Sequence, residues 1–179
     1  MNFVEKTVSK NYVYQGKILS LRNDDALTAD GKPCKREIVE HSGGACVLYE
    51  ENGKLLFVKQ YRYAYGEELL EIPAGKLEKG EDPMETAKRE LEEEAGVRAN
   101  RLELLFVLYP TPAYTNEKIY IYRAYEGERV AAHLDEGEFL SVLWLDKDEV
   151  LELIKRGEIK DAKTLVALQS YFWTSKIDK

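Results

Sequence analysis

The stretch GKLEKGEDPMETAKRELEEEAGV, residues 75–97, decides how this 179-residue chain is read. It predicts a helix over 83–95. Asp82 can serve as N-cap, Pro83 suits the first helical position, and Glu85 follows Asp82 by three residues as in a capping box. Gly96 is a natural left-handed terminator. Met84, Ala87, Leu91 and Ala95 recur at helical spacing and form one apolar stripe. Glu90, Glu93 and Glu94, at i, i+3 and i+4, share an arc of about 100° beside that stripe. Glu92 and Lys88 fall outside the arc and are expected in solvent. Like charges at this spacing repel by about 0.2–0.5 kcal/mol each, and a divalent cation turns that cost into a site. Carboxylates are hard oxygen donors suited to Mg²⁺ or Mn²⁺. Mg²⁺ keeps several waters and binds one or two carboxylates together with substrate phosphates, so a phosphate compound is the expected small-molecule partner.

Length and composition bound the alternatives. With 44% hydrophobic residues the chain can bury a sizeable core, read here as one domain over 41–179 preceded by a β segment over 1–40. A net charge of −7 with no basic cluster argues against a nucleic-acid partner. An anionic protein binding an anionic substrate needs local cations. Cys34 and Cys46 form neither a CxxC pair nor a zinc set, which points to reduced thiols in the cytoplasm. No signal peptide and no run of 18 apolar residues is evident, so neither export nor membrane spanning is expected.

The first 40 residues read as strands over 3–8, 12–15, 17–22 and 36–41, with a turn at Asp30–Pro33. Ala45–Tyr49 and Leu55–Gln60 flank Asn52-Gly53 as a hairpin. Leu69–Ile72 leads through Pro73-Ala74-Gly75 to the acidic helix. Strands follow at 102–109, 118–124 and 140–145, and two terminal helices at 148–156 and 161–173. This order implies an α+β fold, an α/β/α sandwich around a mixed sheet, with antiparallel N-terminal strands.

Gly75, Glu81, Arg89-Glu90, Glu93-Glu94 and Gly96 match every defined position of G-x5-E-x7-R-E-U-x-E-E-x-G-U, where U is aliphatic. That pattern resembles the signature of the Nudix hydrolases. The blocks KREIVEHSGGACVL, VKQYRYAYGEELLEIPAGKLEKGE, YPTPAYTNEKIYIYRA, LDEGEFLSVLWL and GEIKDAKTLVAL extend the likeness to bacterial ADP-ribose pyrophosphatases, with Pro112 supplying the proline that marks this subfamily. Ser42 and Ala113 depart from it, standing where proline and glycine are common.

The resemblance implies roles for particular residues. Metal would be held by Glu90 and Glu94, with Glu93 joining, and by the backbone carbonyl of Ala74. Arg89 would orient the acids, Glu81 would steady the loop that begins at Gly75, Arg62 and Pro112 would contact substrate, Glu71 would face substrate or metal, and Arg36 would reach substrate from the partner subunit. The base would come from the loop His133–Glu138, as Glu136 with Glu138 as the alternative. His41 and His133 are not taken as bases. Tyr63 and Tyr65 are candidates to stack on adenine. The N-terminal strands would build a homodimer.

The expected reaction is Mg²⁺-dependent hydrolysis of ADP-ribose, or of a related nucleoside diphosphate sugar, to AMP and ribose 5-phosphate. The alternatives are a Nudix enzyme acting on a dinucleoside polyphosphate, NADH or an oxidised nucleotide, and a ligand sensor that has lost turnover. All the signature acids survive, which favours an enzyme.

Overall fold

The computed structural model describes residues 3–134 and 136–177. The chain forms two compact units, one of residues 1–43 with 109–118, the other of 44–108 with 119–179. The first therefore takes in the Tyr109–Lys118 segment as well as the N-terminal strands.

In the first unit, β1 (Lys6–Ser9) and β2 (Tyr12–Gln15) pair in series along one edge of β3 (Leu19–Leu27), and β4 (Pro33–His41) pairs along the other, all antiparallel. The strand expected at 17–22 is the first part of the longer β3. Val39 N donates to Tyr114 O at 2.7 Å, and Asn116 N to Val39 O at 3.2 Å, which ties the 109–118 segment to β4. Arg22, Asp24 and Glu40 form an ion-pair cluster in which Arg22 and Asp24 are buried.

The second unit is built on β5 (Gly44–Glu51). It runs parallel to β10 (Ile119–Arg129) on one edge, and β10 pairs antiparallel with β9 (Val97–Leu108). The other edge is shared. Its start pairs with β8 (Ala74–Lys76) and its end with β6 (Lys54–Arg62), which also carries β7 (Glu67–Glu71) and β11 (Leu140–Asp146). The split follows from chain chemistry. Asn52 (φ 52°) and Gly53 (φ 81°) form the tight turn into β6, and only the last two residues of β5 pair across it.

Alternation along β5 makes both cores. Ala45, Val47 and Tyr49 pack with Ala87, Leu91 and Ala95 of α1 (Pro83–Ala95). Cys46 and Leu48 face the opposite side, with Ala167, Leu168 and Tyr171 of α3 (Ala162–Ile177) and Val150 of α2 (Lys147–Lys155). Burial of each such leucine contributes about 2 kcal/mol. The result is the expected α/β/α arrangement about a mixed sheet. Among the described residues no helix is long and apolar enough to cross a membrane.

The stripe on α1 is the one read from sequence, with Met84 partly buried at its start. Asp82 caps the helix, but its Oδ1 accepts from Met84 N at 2.8 Å, while Glu85 pairs with Lys88 at 2.7 Å. The capping box is thus replaced by an Asx-type cap. Glu92 is not free in solvent, since Arg98 donates to it from Nε and Nη2 at 3.0 and 2.7 Å.

Candidate active site

Two loops and one helix face assemble the acidic cluster. β7 ends at Glu71, Pro73 follows, and β8 carries Ala74-Gly75 alongside α1. Gly75 approaches so closely that a Cβ on it would lie 1.8 Å from Glu90 Oε1 and 2.0 Å from its carboxyl carbon. Only glycine leaves room for that carboxylate. Ala74 N donates to Glu94 Oε2 at 3.0 Å, which fixes the second carboxylate against the same loop.

Arg89 is the organiser. Its Nη1 donates to Glu90 Oε1 at 2.7 Å and to Glu93 Oε2 at 2.8 Å, while Nε and Nη2 reach the two oxygens of Glu81 at 3.1 and 3.3 Å. Glu81 in turn accepts from Glu78 N at 3.0 Å, closing the loop ahead of α1. The Arg89 hydrogen bond, opposed by partial burial, lowers the Glu81 carboxyl to about 2. Burial works against the charge of Arg89, yet its three carboxylate partners raise its pKa overall.

Glu90 and Glu94 have the opposite fate. Burial pushes Glu90 up to about 7 against the pull of Arg89, with Glu93 and Glu138 adding repulsion. Glu94 is pushed up to about 8, chiefly by burial, while Glu90 and Glu138 repel it and the Ala74 N–H and Arg62 offset part of the cost. Two buried carboxylates with little positive charge between them would be stabilised by a bound cation. Among the described residues no three Asp, Glu, His or Cys side chains stand together as a ready-made cage. Glu90 and Glu93 share Arg89 Nη1 while Glu94 is held by the Ala74 N–H, and Glu90 and Glu94 are the buried members of the three. A pair of hard oxygen donors fits Mg²⁺ or Mn²⁺, ions that take one or two carboxylates and fill the remaining positions with water and phosphate.

The loop expected to hold the base is anchored to the helix end. Val130 N donates to Gly96 O at 2.9 Å and His133 N to Glu93 O at 3.0 Å. Asp135 lies outside the described residues. Glu136 is exposed; Glu138 is half-buried, and its charge is felt at both Glu90 and Glu94. Glu138, the alternative in the sequence reading, is thus within electrostatic reach of the acidic pair.

Arg62 and Glu71 meet directly. Arg62 Nε donates to Glu71 Oε1 at 2.7 Å and Nη2 to Oε2 at 2.8 Å, a bidentate pair. Glu71 is only 2% exposed, and both its oxygens accept from Arg62. Lys163, buried, also donates to Glu71 Oε2 and lies 3.0 Å from Asp161 Oδ2. Burial opposes the charge on Glu71, but Arg62 and Lys163 lower its pKa overall. The sequence reading missed Lys163. Its signal was available: Lys163 shares a helical stripe with Ala167 and Tyr171, both buried, and a lysine on such a stripe requires a carboxylate partner.

Arg36 and Pro112 belong to the first unit and line one cavity there, with Arg36 Nε donating to Glu5 Oε2 at 2.8 Å. Tyr63 and Tyr65 are exposed in the turn just after Arg62. His41 Nδ1 accepts from Gly43 N at 3.1 Å and lies 3.2 Å from Glu117, within the first unit.

Comparison with known proteins follows the same division. Residues 39–168 match the family described as NUDIX domain, and residues 5–39 the one described as nucleoside diphosphate sugar hydrolase N-terminal domain. The chain is 41% identical over 170 residues to the methanol dehydrogenase activator of Bacillus methanolicus, covering 93% of this chain and 92% of that one. It is 40% identical over 168 residues to an ADP-ribose pyrophosphatase of Bacillus subtilis (strain 168), with coverage of 92% and 91%. A crystal structure of an ADP compounds hydrolase shares the fold, with a TM-score of 0.85 over 98% of this chain and 97% of that chain at 21% identity. With the acidic helix, the glycine that receives Glu90 and the matched family all spanning the same residues, the chain belongs to the Nudix hydrolase family.

Proposed function

We propose that this protein hydrolyses the diphosphate bond of ADP-ribose, or of a closely related nucleoside diphosphate sugar, consuming one water and releasing AMP and ribose 5-phosphate. The observation that carries the reading is the buried Glu90–Glu94 pair set against Ala74-Gly75. It is supported by the relatives of closely similar length and by the N-terminal match to nucleoside diphosphate sugar hydrolases.

Glu90 and Glu94, with Glu93 and the Ala74 carbonyl, would hold Mg²⁺ or Mn²⁺. When bound, such an ion stabilises charge on the diphosphate oxygens and makes a water more acidic. Arg89 holds the acids in register. Glu138 accepts the proton of the attacking water, a role supported by the field it exerts on Glu90 and Glu94 and by its place in a loop containing Gly137. Arg62 presents its free N–H groups to a phosphate, and Tyr63 or Tyr65 stacks on the base. The exposed Val8, Val13 and Ile18 suit the first unit to a homodimer interface, through which Arg36 would reach the substrate of a partner. The reduced, unpaired Cys34 and Cys46 suit a cytoplasmic setting.

Hydrolysis of ADP-ribose measured against GDP-mannose, NADH, a dinucleoside polyphosphate and a nucleoside triphosphate, with and without Mg²⁺, tests the reading. Preference for the triphosphate would overturn it.

A further inference from the structure

The Arg62–Glu71 pair raises a question of charge. A bidentate carboxylate neutralises a guanidinium, and a neutralised guanidinium is a poor ligand for a diphosphate. Glu71, however, is not spent on Arg62 alone, because its Oε2 also accepts from Lys163 Nζ. One buried anion is thereby shared between two cations. With Asp161 beside Lys163 the cluster holds two cations and two anions, and Arg62 is the member that solvent reaches: its side chain is 39% exposed, against 2% for Glu71, 10% for Lys163 and 17% for Asp161.

The directions of the donors agree. Nε and one hydrogen of Nη2 of Arg62 are used on Glu71, and among the described residues Nη1 meets no acceptor. The Nη1–Nη2 edge is therefore an unspent fork of the width that grips two phosphate oxygens. The charges of Arg62 and Glu94 also act on each other, so this fork belongs to the neighbourhood of the acidic pair.

Lys163 is itself built in. Asp161 Oδ2 accepts from Thr164 N at 2.9 Å and from Thr164 Oγ1 at 2.6 Å, capping α3, and lies 3.0 Å from Lys163 Nζ. Thr164 Oγ1 accepts from Ile72 N at 3.0 Å, so the start of α3 is fastened to the residue after Glu71.

We propose that Lys163 is a positioning residue for the substrate's diphosphate: by holding the Glu71 carboxylate that Arg62 grips, it aims the outer fork of Arg62 at the phosphates. This rests on the reading of Arg62 as a substrate ligand. Lys163 acts through Arg62, so its contribution to binding vanishes when Arg62 is absent.

The test is a double-mutant cycle with ADP-ribose at saturating Mg²⁺, on variants whose melting curves show a folded protein. Lys163→Met should raise KM roughly tenfold, the scale of one weakened charge-assisted contact, and leave kcat within about threefold. Lys163→Arg should recover most of that loss. Arg62→Gln should raise KM by at least as much, and adding Lys163→Met to it should change KM no further. If Lys163→Met does not fold, Lys163→Gln takes its place in the same cycle. A full tenfold effect of Lys163→Met in the Arg62→Gln background, or a lowered Tm with unchanged KM, overturns the proposal while leaving Arg62 as a substrate ligand. An Arg62→Gln variant with wild-type KM overturns it differently, by removing Arg62 from the substrate site altogether.

Discussion

Gly75 and Glu90 occupy the same space in all but one respect: a methyl group on the Gly75 Cα would sit 1.8 Å from the Glu90 carboxylate. A real Cβ cannot approach that closely, so Gly75→Ala must expel the Glu90 side chain or move β8. Displacing a carboxylate is far easier than breaking the pairing of β8 with β5. The variant should keep its fold, and the Mg²⁺ concentration for half-maximal hydrolysis should rise roughly tenfold or more, the range seen when a metal ligand loses its support. An unchanged Mg²⁺ titration would show that Glu90 is not a ligand.

Glu94 makes the second case, through stability. Its folded pKa of about 8 lies above the ordinary carboxylate value of 4.5, so between those pH values the folded state binds the extra proton. Stability linked to Glu94 is thus fully present below pH 4.5 and is lost as pH rises through about 8. Glu94→Gln should therefore melt higher than the unmodified protein at pH 8.5 in a chelator, by about 2–4 °C for each kcal/mol recovered. The gap should close on acidification. Mg²⁺ should raise the Tm of the unmodified protein and not that of the variant, which should also lose about 10²-fold or more in turnover. A variant that melts lower at pH 8.5 and retains turnover would remove Glu94 from the site.

These two residues mark what the sequence made legible. The α1 stripe and the Gly96 terminator are local patterns that the structure reproduces, and of the acids on one arc it buries Glu90 and Glu94 and leaves Glu93 half-buried. Strand order was legible in part, because Asn52-Gly53 dictates a hairpin while nothing local foretells β8 or the capture of Tyr109–Lys118 by β4. The capping box failed because Glu85 had a competing partner in Lys88 one turn on. Contacts such as Lys163–Glu71, 92 residues apart, have no local signature at all. There the only hint is a charge standing where the period calls for an apolar residue.

Glu81 should matter for folding before chemistry. Its carboxylate is lowered to about 2, chiefly by the Arg89 hydrogen bond, so its contribution is present above pH 4.5 and lost as pH falls through about 2. Glu81→Gln should cost about 2 kcal/mol at pH 7, the scale of a charged hydrogen bond removed from a partly buried arginine. The difference in denaturant midpoint between the two proteins should shrink steadily below pH 4. A constant difference across that range would mean that Glu81 contributes by packing alone.

The loop after His133 carries two glutamates that the sequence reading ranked with Glu136 first and Glu138 as the alternative. Glu136 is exposed, whereas Glu138 is half-buried and close enough to raise the pKa of both Glu90 and Glu94. A base that removes a proton from the attacking water must lie within hydrogen-bond reach of it, and general-base assistance is worth about 10²–10⁴ in rate. Glu138→Gln should therefore lower kcat by about 10²-fold or more with little change in KM. Glu136→Gln should stay within about threefold of the unmodified enzyme, the range of an exposed loop substitution. Removing the Glu138 charge should also make Glu90 and Glu94 easier to ionise, since one repelling carboxylate is gone. Mg²⁺ affinity of the Glu138→Gln protein, measured by calorimetry without substrate, should then hold or rise at neutral pH even as turnover falls. Loss of Mg²⁺ binding together with turnover would instead make Glu138 a ligand and leave the base unassigned.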